Sequence, residues 1–300
     1  MRMRWADAKF ATFFILRWHY VFDQLDSLIN THHKENTMNP IASLIKRYPL
    51  VTFFIIAYAT SFIGGYLSEL YPSDWWAVFV YGPFIGAFIV TATDQGRDGL
   101  KDWLSRIVRW RVGFQWYIVA LLLPVGLRVI TFGLNLLLGA AMPTASQLGT
   151  WPDFIPEFIF ILLFIGLAEE PGFRGFALQR LLAGRSVLVA SLIVGVLHTV
   201  WHLPLFINGS EPLTIIPIIL GGAILLSWLY VHTNGSVLLT MLMHASVNTT
   251  SGYFSALFSG AELARQTALL AGVYVAAALI LVVVAGPNLT WKSVVQLAEG

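Results

Sequence analysis

The chain has 300 residues, 57% hydrophobic and 11% charged, with 18 Lys and Arg against 16 Asp and Glu. An average soluble chain carries roughly 25% charged residues, so a water-soluble globule is excluded, the more so because 11 of the 34 charged side chains fall within the first 47 positions. The formal charge of +2 comes from basic clusters between apolar runs, which argues against nucleic-acid binding, and the absence of cysteine removes disulfides, thiolate zinc sites and cysteine nucleophiles.

In residues 1–37, Arg2, Arg4 and Lys9 precede a short apolar stretch, Phe10 to Leu16, interrupted soon after by Arg17, His19, Asp23 and Asp26. That stretch is too short and too charged to span, and it lacks the small-residue cleavage site of a secretory signal. It reads as a poorly structured or interfacial extension, with Met38 as natural a start as Met1. Residues 38–300 form the membrane domain. Apolar runs long enough to cross roughly 30 Å of hydrocarbon follow at Pro49 to Leu67, Trp75 to Thr93, Phe114 to Leu138, Phe154 to Ala177, Val187 to Ile207, Leu213 to Val231, Ser236 to Phe258 and Leu263 to Ala285. The expected architecture is all-α, a polytopic transmembrane helical bundle of about eight spans joined by Pro-, Gly- and Asn-containing turns such as Asn208 to Pro212. Lys46, Arg47, Arg97, Lys101, Arg106, Arg109, Arg111, Arg180, Arg185 and Lys292 all fall on one side of that topology, which predicts cytoplasmic termini in a bacterial or archaeal cell membrane.

Ionisable groups inside spanning helices cost a few kcal/mol each, yet four of these segments contain them: Arg128; Glu169, Glu170 and Arg174; His198 and His202; and His244 with Asn248. Glu170 and Arg174, at i,i+4, predict a pair in which the arginine holds that carboxylate ionised. Glu169 is left over as a candidate general base, and His202 is placed to share a water with it. Pro171 predicts a kink or break beside the two glutamates. His244 and Asn248, also at i,i+4, can both donate to an oxyanion.

These residues resemble the three motifs of the CAAX protease and bacteriocin-processing (CPBP, or Abi) intramembrane glutamic endopeptidases, which include the Ras-converting endopeptidase. Glu-Glu-x-x-x-Arg stands as Glu169-Glu170-Pro171-Gly172-Phe173-Arg174, the Phe-x-x-x-His motif as His198 to His202, and His-x-x-x-Asn as His244 to Asn248. The departure is His198, a pocket-wall position where the family usually has phenylalanine. The resemblance implies a metal-independent and cofactor-free protease domain. Glu169 and His202 would activate water, His244 and Asn248 would form the oxyanion hole, and Glu170 and Arg174 would support them. Its partners would be the lipid bilayer and a peptide or protein substrate at the membrane, of a prenylated CAAX or bacteriocin-like kind.

Two other readings fit the same residues. One carboxylate and two histidines could hold zinc in a membrane hydrolase, although Asn248 is a poor zinc ligand. The polar set could also be a purely structural network in a bacteriocin immunity or scaffold protein.

Overall fold

The computed structural model describes residues 40–71 and 80–290. The expected extension over 1–37 and the basic residue Lys292 lie outside the described residues. The helices that matter here lie within the compact unit that begins at Ile45. They are α1 (Pro49–Leu70), α2 (Gly82–Ile107), α3 (Phe114–Leu137), the composite α4 (154–182), α5 (Val187–Trp201), α6 (Ile216–His232), α7 (Val237–Ser255) and α8 (Gly260–Ala285). Several boundaries follow from local chemistry. Pro49 opens α1, where a missing N–H costs nothing. The hydroxyls of Ser186 and Ser236 accept from Val189 N and Leu239 N to cap α5 and α7. Gly286, at φ 71°, stops α8.

The chain is an integral multi-pass membrane protein with an all-α bundle. Among the described residues, five segments are long and apolar enough to cross a bilayer: Pro49–Leu67, Phe114–Leu137, Ala145–Leu182, Leu213–His232 and Gly260–Ala285. This falls short of the eight spans expected, for three different reasons. The described part of the Trp75 to Thr93 run starts only at 80, and α2 breaks at Gly96 (φ 63°, ψ −151°) before an amphipathic second half. At 15 residues, α5 rises only about 22 Å. α7 has the length, but Thr240, His244, Ser246, Asn248, Thr249 and Thr250 dilute its apolar character.

Two apolar clusters hold the bundle. Phe53, Ala57, Val90, Trp103, Phe173 and Phe176 join α1, α2 and α4, while Leu127, Trp228, Leu239, Met243, Leu270 and Tyr274 join α3, α6, α7 and α8. Ile55, Ile63, Leu122, Ile130, Phe160 and Val283 are exposed on the outside, as side chains solvated by lipid would be. Glycines permit the tightest approaches. A Cβ on Gly82 would meet the Ala57 carbonyl oxygen at 2.5 Å, and one on Gly172 would meet Pro83 Cβ and O at 2.6 Å.

Candidate active site

α4 carries the paired glutamates in an unusual setting. Phe154–Ile161 is α-helical, Leu162–Gly166 is a π-helical turn, Leu167–Gly172 returns to α geometry, Phe173–Leu178 is again π-helical and Gln179–Leu182 ends the helix. The kink or break expected at Pro171 is therefore replaced by a continuous helix with a widened turn on each side. Pro171 lies inside the α turn, between the two π-helical turns. The Pro171 carbonyl accepts from Trp103 Nε1 at 3.0 Å, which fastens this turn to α2.

The two glutamates have separate partners. Glu170 is fully buried, and its Oε1 accepts from Arg174 Nη1 at 2.8 Å, as the i,i+4 spacing predicts. The same oxygen pairs at 2.8 Å with Nδ1 of His244 on α7. A carboxylate only accepts, so Nδ1 of His244 carries a proton, and Nε2 can donate as well only when the ring is an imidazolium. Glu169 is 3% exposed; its Oε2 lies 3.0 Å from Nε2 of His198 on α5.

His198 lines the cavity, and this last contact adds a second role to its place in the wall. Its ring stacks on Phe173 with centroids 4.2 Å apart and engages the candidate base itself. His202, one turn later, sits where α5 ends. Its Nδ1 donates to the His198 carbonyl at 3.0 Å, which leaves Nε2 of the neutral ring as an acceptor. Asn248 is half-buried on the same α7 face as His244, and its carboxamide has no hydrogen-bond partner among the described residues.

A cavity of about 760 Å³ brings Glu169, Arg174, His198, His202, His244 and Asn248 together. Its remaining wall is largely apolar, including Leu123, Leu127, Ile218, Met243 and Leu270. A largely apolar cleft with a few convergent polar groups is the usual form of a ligand site. Among the described residues no group of three or more His, Asp or Glu side chains is arranged to hold a metal ion.

Sequence reasoning missed Glu211, which lies inside the turn Asn208 to Pro212. The turn after the short helix Leu203–Ile207 folds back, with Glu211 N bonded to Leu205 O at 3.1 Å, and delivers the side chain to the cavity. Burial pushes the Glu211 carboxyl above its ordinary 4.5; His202 opposes that rise and Glu169 adds to it. No local pattern marks such a residue, because its placement depends on where the turn lands.

Residues 151–250 match the family model described as type II CAAX prenyl endopeptidase Rce1-like. That stretch contains every residue of the three motifs. At family level the match is to the CAAX proteases. The chain is also similar to CAAX prenyl protease 2 of Methanococcus maripaludis, at 26% identity over 228 residues that cover 68% of this chain and 82% of that relative. The CAAX-protease match and the paired Glu and His side chains together support a membrane-embedded hydrolase acting on a peptide or protein substrate.

Proposed function

We propose that the protein is an intramembrane glutamic endopeptidase that cleaves membrane-associated peptides, of the prenylated CAAX or bacteriocin-like kind, with all eight helices embedded and both termini cytoplasmic. The observation that carries the reading is the convergence of Glu169, His202, His244 and Asn248 on one cavity, with Glu170 committed elsewhere. Water held between Glu169 and Nε2 of His202 gives a proton to Glu169 as its oxygen bonds to the substrate carbonyl carbon. The carbonyl π pair moves onto oxygen, and that oxyanion accepts from the Asn248 amide and from Nε2–H of a His244 imidazolium paired with Glu170. Collapse of the tetrahedral species breaks the C–N bond, and the departing nitrogen takes the proton from Glu169. His198 holds the Glu169 carboxylate in position throughout. The alternative that these groups are only structural gives no role to Asn248, which has no hydrogen-bond partner among the described residues.

The test is cleavage of a membrane-tethered C-terminal peptide by the purified protein. Glu169→Gln should keep the wild-type melting temperature while cleavage is lost, because the amide fills the same space and cannot take the proton. Phenanthroline should leave the wild-type rate unchanged. An active Glu169→Gln protein, or a rate that chelation abolishes and zinc restores, would sink the mechanism.

A further inference from the structure

The loop between α2 and α3 has a composition that neither water nor hydrocarbon explains alone. From Val108 to Val112 apolar and basic side chains alternate, and Phe114 follows. Val108, Trp110 and Phe114 are 67%, 62% and 75% exposed. A loop surrounded by water gains nothing from three such side chains, whereas one at headgroup depth does, and tryptophan favours that depth. The Arg111 guanidinium lies over the Trp110 ring, 5.3 Å from its centroid.

The loop is held in shape by its own neighbours. The Arg109 carbonyl accepts from Ser236 Oγ at 2.6 Å, and Nη1 of Arg109 donates to the Asn234 carbonyl. The Trp110 carbonyl accepts from the Tyr117 hydroxyl at 2.7 Å and from Val112 N at 2.9 Å. Ser236 also caps α7, so the loop is fastened to the root of the helix that carries His244 and Asn248. A shape fixed in advance loses little freedom when it binds. Charge is left over here as well. Neighbouring cations have carboxylates: Arg106 has Asp102 at 2.8 Å, Arg180 has Asp94 at 2.7 Å and Lys101 has Asp98 at 3.9 Å. Among the described residues, Arg109 and Arg111 form no ion pair.

We propose that the loop Arg109–Trp110–Arg111 binds the phosphodiester headgroup of an anionic phospholipid in the adjacent leaflet, and that the bound lipid braces the root of α7. A guanidinium donates paired N–H bonds to one phosphate. Trp110 lies at headgroup level, with Val108 and Phe114 against the upper carbons of the acyl chains. A free phosphate offers the same oxygens but leaves those apolar side chains uncovered, so the lipid is the better occupant. The site goes beyond the protease reading and does not depend on it.

The experiment titrates lipid into the full chain in dodecyl maltoside micelles and follows the melting temperature. Phosphatidylglycerol should raise it and phosphatidylcholine should not, because a ligand that binds the folded state stabilises it. Arg111→Gln, at an exposed position, should need about fivefold more phosphatidylglycerol for half the rise, the share of one arginine at an anionic surface. Arg111→Lys should keep most of the response. Lys46→Gln, which removes an exposed cation on the same side, should keep all of it. Equal rises with both lipids, or the same half-point in wild type and Arg111→Gln, would overturn the site. An equal shift in Lys46→Gln would overturn it too, by reducing the effect to diffuse charge attraction. Inorganic phosphate that reproduces the rise at matched concentration would overturn the lipid assignment in favour of a free anion. Hydrogen exchange over Asn234 to Leu239 should slow with phosphatidylglycerol in wild type, and unchanged exchange there would remove the brace. None of these readouts uses cleavage, so failure of the protease reading leaves the result intact.

Discussion

Glu169 and Glu170 are adjacent in sequence, yet each is bound to a different helix, and that difference sets what each substitution should do. Glu170→Gln leaves Arg174 and His244 without their shared carboxylate. Breaking a buried pair of this kind costs about 3–5 kcal/mol, so this variant should unfold well below wild type in a thermal melt in detergent. A melt like that of wild type would mean the two glutamates have been assigned in the wrong order. His198→Phe removes the bond to Glu169 Oε2 but keeps the stack on Phe173. It should fold normally and lose about tenfold or more in kcat, in line with a charged hydrogen bond worth about 1.5–3 kcal/mol. An unchanged kcat would show that Glu169 needs no such support. The Glu170–Arg174 pair was legible in the sequence because i,i+4 spacing on one helix fixes a contact. The His198 partnership was not, since it depends on the rotation of α5 relative to α4.

At the scale of elements, apolar run length located most helices, and serine caps, Pro49 and Gly286 marked several ends. It missed the reach of α2, because the residues after Thr93 are charged while Leu100, Trp103 and Ile107 still pack inward. The π turns of α4 also escaped it. Proline chemistry predicts a disturbance at Pro171 but not whether the helix breaks or widens. Gly172 is the point at which that helix meets α2. Gly172→Ala would put a methyl 2.6 Å from Pro83 Cβ and O, and overpacking of this sort costs about 1–3 kcal/mol. The variant should melt lower and cleave more slowly, because the Glu169 turn must shift to make room. Wild-type stability in that variant would show that α2 can withdraw freely.

For the molecule as a whole, the response to pH should carry the signature of Glu211. Its folded-state pKa is raised above the ordinary 4.5, so the folded protein binds protons that the unfolded chain has released. The stability this contributes is complete below pH 4.5 and is lost as pH rises through the folded value. Melting temperature measured across that window should therefore fall with rising pH in wild type, and the slope should flatten in Glu211→Gln. Identical slopes would mean that Glu211 is hydrated in the membrane-embedded protein. Composition together with the lengths of the apolar runs was enough to identify a polytopic membrane bundle. The cavity was not readable, because it is assembled from helices far apart in the chain together with one folded-back turn.

Trp201 has an optical consequence. Its indole lies 5.0 Å from the His202 ring and 5.8 Å from that of His198, and its Nε1 is held by Ser61 Oγ at 2.8 Å. An imidazolium that close accepts an electron from excited indole and quenches its fluorescence, whereas a neutral imidazole does so far less. The chain has 11 tryptophans, so the emission removed by Trp201→Phe isolates this one. That difference signal dims when either histidine takes a second proton, giving a label-free record of proton occupancy beside Glu169 as substrate enters and leaves.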